Sequence, residues 1–295
     1  MTTQQQCNGA SVVIPVYNRE QYLEECINSV KAQECDFPVE IILADDGSTD
    51  KSKEIALSFG SSVRWLDKPA DCSTQGAGPT RNRGIQAAAY PLIAFLDSDD
   101  VFLPGHLHRL FHFLAEHPEY GAAVDQLYGF SQSLEKIWIM PYSDKETVKL
   151  ESFFLNPYFN PSVSMLRQSV INELDIPFEP ALRFAQDIDF FFRILEKHPI
   201  AILAEAGACL REHNKRSTGG GSWKIQYEYA WMVLQRAVQR YPYPAWLVRK
   251  RKAAIAFRLA QGDIAGKKYF SAVCRLLYAG LLDPLRAAKI LMQKH

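Results

Sequence analysis

No apolar run in the chain approaches the ~20 residues that cross a bilayer, so a membrane-spanning helix is not expected. The opening stretch, MTTQQQCNGA, has neither a basic segment nor an apolar core, which argues against a secretory signal. Six cysteines stand far apart at Cys7, Cys26, Cys35, Cys72, Cys209 and Cys274, with no CxxC pair. A disulfide framework is therefore not expected, and reduced thiols in a cytoplasmic protein are. No repeat of fixed period is visible, and the formal net charge is zero.

That zero conceals an uneven distribution. Residues 222–295 hold 14 Lys and Arg against 3 Asp and Glu, a net of +11. Residues 1–221 hold 19 against 30, a net of −11. An acidic body carries a basic tail. Strongly basic segments seek nucleic acid or anionic membranes. Here Trp223, Trp231, Trp246, Tyr227, Tyr229 and Tyr243 are interleaved with the cations. Amphipathic aromatics beside Lys and Arg suit a lipid headgroup region, so peripheral contact with an anionic membrane through 222–295 is expected rather than nucleic-acid binding. A helical subdomain with a solvated basic face explains the same composition.

The first hundred residues alternate between two periodicities. SVVIPVY (11–17) is a short β-branched run and reads as a buried strand. The next segment puts Tyr22, Leu23, Cys26, Ile27 and Val30 on one helical face. VEIILADDGSTD is a second buried strand, with Ser48 or Thr49 placed to cap the following helix. SVRWLD reads as a third strand, CSTQGAGPT as a loop, RNRGIQAAAY as a short helix and PLIAFLDSDD as a fourth strand. A helix then starts near Pro104 with a stripe of Leu107, Leu110, Phe111 and Leu114. Alternation of this kind predicts an α/β fold, a Rossmann-like, mostly parallel central sheet flanked by helices. Ligands in such sheets bind beyond the carboxyl ends of the strands. Later, YGAAVDQLYGF and EKIWIMPY read as a hairpin, FAQDIDFFFRILEKH as a helix and AILAEAGACLREH as a strand. The last ~75 residues read as about three helices, broken near Pro242–Pro244, Gly262 and Pro284.

FLDSDD, Phe95 to Asp100, sets three carboxylates at the end of a buried strand. Such a cluster needs a cation. Oxygen ligands select a hard ion, Mn²⁺ or Mg²⁺, and these ions keep coordination positions open for phosphate oxygens. On extended chain the i, i+2 spacing would point Asp97 and Asp99 the same way. Asp100 reads more simply as a cap for the next helix. His108 and His112 stand i, i+4 but lack the HExxH glutamate, and read as surface residues beside a core stripe.

The series SVVIPVYNR, IILADDGSTD, GAGPTRNRGI, FLDSDD and QDIDFFFRI closely resembles family 2 glycosyltransferases, over roughly residues 9–217. The resemblance implies a GT-A fold and a metal-dependent, hexosyltransferase-type enzyme. It would pass a sugar from a nucleotide-sugar donor to a glycan or lipid-linked acceptor, inverting the anomeric centre. It further implies that Tyr17 stacks on the nucleotide base beside Pro15 and that Asp46 hydrogen-bonds the base. An acidic acceptor suits the N3–H of uracil, which favours a UDP-sugar. Arg81, with Asn82, is implied near the donor phosphates; Pro79 and Thr80 stand where alanines are commoner. Asp97 is implied at the donor ribose or the metal, Ser98 in donor binding, Asp99 in holding the metal, and His213 at the metal or the diphosphate. Asp187 is implied as the catalytic base. The family's Glu-Asp pair is replaced here by Gln186-Asp187, so acceptor or sugar contacts at Gln186 are expected to differ.

The expected organisation is a GT-A domain over 1–221, its nucleotide half about 1–100 and its acceptor half 101–221, followed by a basic helical region over 222–295. A three-glycine loop at Lys215–Ser222 is a candidate lid. The expected setting is cell-envelope polysaccharide synthesis at the inner face of the cell membrane. Two other classes compete: a noncatalytic nucleotide-sugar-binding module, and a metal-dependent nucleotidyl- or phosphotransferase. The phosphotransferase chemistry commonly uses DxDxT, and DSDDV lacks the threonine. A nucleotidyltransferase usually carries a Gly-rich basic loop after strand one, where this chain has VYNREQY.

Overall fold

The computed structural model describes residues 8–130, 136–139, 142, 144–212 and 223–285. The first half runs β1 (Ala10–Val16), α1 (Leu23–Lys31), β2 (Val39–Asp45), α2 (Ser52–Ser58), β3 (Arg64–Leu66), α3 (Ala77–Ala87) and β4 (Leu92–Phe95). Then come β5 (Val101–Phe102), α4 (His106–Glu116), β6 (Ala122–Phe130), β7 (Lys136–Ile139), α5 (Leu150–Leu155), β8 (Ser164–Arg167), α6 (Gln168–Ile171), α7 (Gln186–Leu195) and β9 (Ile200–Arg211). Three helices close the chain: α8 (Trp223–Arg240), α9 (Ala245–Ala265) and α10 (Tyr269–Leu282).

One mixed sheet organises these elements in the order β3-β2-β1-β4-β8-β6-β9-β5, with β7 paired to β6. β3, β2, β1 and β4 are mutually parallel. The second half is mainly antiparallel: β8 runs against β4 and β6, β7 against β6 and β5 against β9, while β6 and β9 are parallel. The expectation of a mostly parallel sheet thus describes the first half. Every residue of β1 is buried, as a strand covered by helices on both faces requires. Pro15 fits inside this central strand because of where its missing N–H would point. Val13 C=O accepts from Leu96 on the β4 side, and pairing with β4 ends at Val13 and Phe95. Residue 15 faces that same side, just past the last pairing, where a lost donor costs least.

Three local expectations change. α3 begins at Ala77, so Gly78, Pro79 and Thr80 are helical rather than loop. Gly76 at φ 106° leads in, and Pro79 lies in the first turn, where a missing N–H breaks no intrahelical bond. α2 is not capped by Ser48 or Thr49; Asp50 instead accepts from Ser52 N at 3.0 Å and from its hydroxyl at 2.6 Å. α9 runs unbroken through Gly262, and the chain turns only at Gly266 and Lys267 (φ 57°). A single glycine costs a helix only ~1 kcal/mol relative to alanine, too little to break it.

The aromatic run Phe190–Phe192 anchors α7. Phe190 stacks on Phe178 at 4.4 Å between centroids, and Phe178 meets Phe95 of β4 edge-on at 5.6 Å. Phe192 stacks on Phe154 of α5 at 5.2 Å, and Phe154 packs on Tyr243 at 4.2 Å. The C-terminal helices therefore close over the same core. Arg240 pairs with Glu196 at 2.6 Å, and the buried Arg251 donates to Leu155 O at 2.8 Å.

Candidate active site

The carboxyl ends of β1 and β2 are stitched together by side-chain bonds to backbone. Asn18 takes a left-handed φ of 51°, a conformation asparagine tolerates. Its N–H donates to Ser48 Oγ at 3.0 Å, and its Oδ1 accepts from Thr49 N at 2.8 Å. Arg19 N donates to Ser52 Oγ at 2.8 Å. Asp45 closes the β2 turn, accepting from Gly47 N at 2.9 Å and Ser48 N at 3.0 Å. Fixed by this lattice, Tyr17 projects outward with 54% of its surface exposed. Pro15 is buried inside β1, so its ring is not part of the open surface beside Tyr17. Asp46 is held on both oxygens: Lys68 Nζ lies 3.0 Å from Oδ1, and Gly76 N donates to Oδ2 at 2.7 Å. That carboxylate ties the loop before α3 across the end of β2.

The three carboxylates of FLDSDD part company in the structure. β4 ends at Phe95, and Asp100 N donates back to Asp97 O at 2.9 Å, so the segment is a turn rather than extended strand. Asp97 pairs with Arg81 of α3. Asp99 faces Arg19 Nε at 3.3 Å. Asp100 is buried, accepting from Ser162 Oγ at 3.1 Å and Arg211 N at 3.1 Å. Ser98 is buried between them, and Ser162 Oγ accepts from Asp97 N at 3.1 Å. The same-side geometry expected for Asp97 and Asp99 does not hold, because a turn breaks the period-2 alternation. Arginine guanidinium groups face two of the clustered carboxylates, Arg81 at Asp97 and Arg19 at Asp99. Cys26 lies behind the turn, 3.6 Å from Asp97 O; burial first, then the aspartates, push its thiol well above the ordinary range.

α3 carries the next component. Arg81 is buried, with its guanidinium 5.4 Å from the centre of the Phe178 ring. It stands one turn inside α3, not at its start. Asn82 brackets the backbone of Phe178, donating to its O at 2.7 Å and accepting from its N at 2.9 Å. Gly78 leaves room for the Gln186 amide, which a Cβ would strike. These contacts dock the entry to α7 on α3. α7 starts after Ala185, held at φ 57°, so Asp187 lies in the first turn and is not the cap. Asp187 is half-buried, and loss of water drives its carboxyl above the ordinary aspartate range. Arg81 opposes that rise, and the negative charge of Asp97 adds to it. Arg81, Asp97 and Asp187 therefore share one electrostatic neighbourhood.

Asp189, two residues on, does other work. It is fully buried and faces Arg193 at 2.9 Å and Arg236 and Arg240 of α8 at 3.7 Å each. It joins α7 to α8 rather than lining the cleft.

The structure thus gathers Tyr17, Asp46, Arg81, Asp97, Asp99 and Asp187 at the carboxyl ends of β1, β2 and β4 and the facing start of α7. His213 and the loop Lys215–Ser222 lie outside the described residues. Sequence reasoning did not find Arg19, Lys68, Arg83, Ser162 and Arg211. Arg83 donates to Asp45 O, and Arg211 pairs with Glu25 and donates to Asp99 O at 3.2 Å. Only excess basic residues beside acidic motifs, as in VYNRE and TRNRG, hinted at this. The oxygen donors of Asp97 and Asp99 are of the type a hard divalent ion takes, and in this structure each faces an arginine, Arg81 and Arg19.

Comparison with known proteins identifies the family and the fold. The family model "Glycosyl transferase family 2" matches residues 11–175. An uncharacterised glycosyltransferase of Rickettsia typhi is 27% identical over 227 residues, 75% of this chain and 70% of the relative. The minor teichoic acid biosynthesis protein GgaA of Bacillus subtilis is 26% identical over 231 residues, 76% of this chain and 52% of its own length. A Nostoc relative, 41% identical over 100 residues, is spanned over only 31% of its length. Among solved structures, S. aureus TarS 1-349 in complex with UDP-GlcNAc superposes with a TM-score of 0.70 at 20% identity, covering 92% of this chain and 79% of that one. The mannosyltransferase PcManGT of Pyrobaculum calidifontis, with GDP-Man and Mn²⁺, gives 0.62 at 16% identity, covering 97% and 79%. The mixed sheet with flanking helices is the GT-A fold, and the chain belongs to glycosyl transferase family 2.

Proposed function

We propose that this chain is an inverting, metal-dependent glycosyltransferase that moves a sugar from a nucleotide-sugar, a UDP-sugar by preference, to a hydroxyl of a glycan or lipid-linked acceptor in cell-envelope polysaccharide synthesis. What supports this reading is the buried Arg81 paired with Asp97 past the end of β4, both acting on the desolvated Asp187, with Tyr17 exposed past the end of the neighbouring β1. Tyr17 offers an aromatic face to the base. The oxygens of Asp46 each hold one bond and retain lone pairs for a uracil N3–H. Arg81 offers a fixed guanidinium to the donor's phosphates. Asp187 takes the proton of the acceptor hydroxyl as that oxygen attacks C1 in line. The bond from C1 to the diphosphate breaks, its electron pair leaves on the nucleoside diphosphate, and the anomeric centre inverts. When bound at Asp99, Mn²⁺ or Mg²⁺ supplies positive charge against the departing diphosphate.

The acceptor's setting is read from the C-terminal region. No helix among the described residues is long and apolar enough to cross a membrane. α10 nonetheless exposes Phe270 (86%), Leu277 (64%) and Leu281 (81%) on a strongly basic region. That pattern supports peripheral contact with an anionic bilayer at the cytoplasmic face, with the helix lying in the headgroup region.

The test is a panel of nucleotide-sugars with Mn²⁺, following nucleotide release. Release of nucleoside diphosphate, lost in Asp187→Asn while nucleotide binding persists, supports the reading. Release of pyrophosphate would identify a nucleotidyltransferase. Binding without turnover by the unaltered protein, across the panel with acceptor glycans present, would leave a noncatalytic module.

A further inference from the structure

On the flank of the sheet formed by α4 and the α1–β2 connection, Asp36, His108 and His112 aim ligand atoms at one point. The two histidines are one helical turn apart, so they share a face of α4. Their ring centroids are 4.3 Å apart. The opposite face, Leu107, Leu110, Phe111 and Leu114, is buried, which fixes how the helix is rotated. Asp36 is equally constrained. Its neighbour Phe37 stacks on Phe111 at 3.6 Å. Gln33, three residues earlier, donates to Leu103 O at 2.9 Å and accepts from Leu107 N at 3.2 Å. The connection is therefore bound to α4 on both sides of Asp36.

Both imidazoles approach the same carboxylate oxygen. Asp36 Oδ1 lies 2.8 Å from His112 Nε2 and 3.6 Å from His108 Nδ1. The three ligand atoms all fall within 4.8 Å of one another. Around a tetrahedral zinc ion with metal–ligand bonds of ~2.0–2.1 Å, ligand atoms stand roughly 3.3 Å apart. The two measured separations bracket that value. A pair of imidazoles with one carboxylate is a borderline-soft donor set, which favours Zn²⁺, Ni²⁺ or Cu²⁺ over Mg²⁺ or Mn²⁺.

We propose that Asp36, His108 and His112 form a surface site for a divalent transition metal of the zinc class, tying α4 to the α1–β2 connection. The site is separate from the all-oxygen donors of the Asp97–Asp99 turn, and it does not depend on the glycosyltransferase reading. An ordinary exposed His–Asp ion pair would look similar without metal, so the experiment must separate the two.

The metal-stripped full-length protein is titrated with ZnCl₂ by calorimetry and by thermal shift, beside His112→Gln, the double variant His108→Ala/His112→Ala, and Asp99→Asn. The expected result is one equivalent of Zn²⁺ with a rise in melting temperature for the unaltered protein and for Asp99→Asn. Affinity should fall by about 10-fold or more in His112→Gln, since even the outer partners that orient a metal ligand are typically worth about 10–100-fold. The double variant should lose that equivalent while keeping its metal-free melting temperature. Mn²⁺-supported turnover in His112→Gln should match the unaltered protein. Equal Zn²⁺ binding by the double variant, or no saturable binding by the unaltered protein, overturns the proposal.

Discussion

Asp187 and Asp189 sit two positions apart on one helix, yet they have different surroundings: Asp187 is half-buried near Arg81 and Asp97, and Asp189 is fully buried among Arg193, Arg236 and Arg240. Asp187 has its pKa raised, chiefly because protein replaces water around it. The folded chain therefore holds that proton more tightly than the unfolded chain does. The stabilisation this gives is full below the ordinary aspartate range and is lost as pH rises through the raised value. Once ionised, Asp187 works against folding. Asp187→Asn should thus cut turnover by about 10²–10⁴-fold, the usual contribution of a general base, while the melting temperature stays level or rises. A large drop in melting temperature would instead mark Asp187 as structural. The acid limb of the pH–rate profile should fall above the ordinary aspartate value of about 4, since the base must be ionised to act. Arg81 pulls this pKa down, so Arg81→Gln should move the limb to higher pH. Asp189 has a structural role instead. It is the buried anion facing Arg193, Arg236 and Arg240, and Asp189→Asn would leave Arg193 uncompensated. Removing one partner of a buried ion pair typically costs about 3–5 kcal/mol, so denaturant unfolding should show a loss of that order.

At the scale of elements, α10 is the least reconciled with water. Only Ala272 and Ala279 of this helix are buried, while Phe270, Val273, Leu277 and Leu281 stand exposed. It is held to α9 by small residues and by Asp263, which accepts from Ser271 at 2.6 Å and faces Arg275 at 3.1 Å. A lipid surface would bury the exposed stripe. Flotation with anionic vesicles should carry the protein upward, with binding weakened by salt and by the replacement of anionic with neutral lipid. Phe270→Ser with Leu281→Ser should abolish flotation and leave turnover on a soluble acceptor unchanged. Equal partitioning to anionic and neutral vesicles would remove the electrostatic part of the reading. α3 shows the converse case, where a sequence of glycines and a proline reads as loop. Its helix is imposed from outside: Asn82 clamps Phe178, and Gly84 lets α3 lie directly against Val13 of β1.

Across the whole molecule, the acidic body and the basic tail are not independent units by the contacts they make. Arg236 and Arg240 reach Asp189, Arg240 and Tyr243 reach Glu196, and Arg251 reaches Leu155 O. Burial drives Arg251 down to about 10, still protonated at neutral pH. Part of the tail's positive charge is thus spent on docking, and the remainder stays exposed. A chain ending at residue 222 would uncover Phe154 and Phe192, which pack on or near Tyr243. It should aggregate or melt well below the full chain in a thermal shift assay. Equal stability of the two would establish that residues 223–295 are a separable appendage.

The alternating apolar runs were enough to specify a strand–helix series and the strand ends at which a ligand site belongs. Burial on both faces of a parallel strand needs continuous β-branched and aliphatic residues, and that demand is written locally. The five short motifs that resemble family 2 glycosyltransferases likewise mark Tyr17, Arg81, Asp97 and Asp187 as candidates within the sequence itself. Other features depended on residues far apart in the chain. That FLDSDD turns, and that each carboxylate meets a different partner, follows from Arg81, Arg19 and Ser162, which lie outside the motif. The antiparallel half of the sheet, the helical course of GAGPT, and the convergence of His108 and His112 on Asp36 are likewise set by long-range packing. Periodicity reports which face a residue shares with its neighbours along the chain, whereas the partner of a charge is chosen only when distant elements meet.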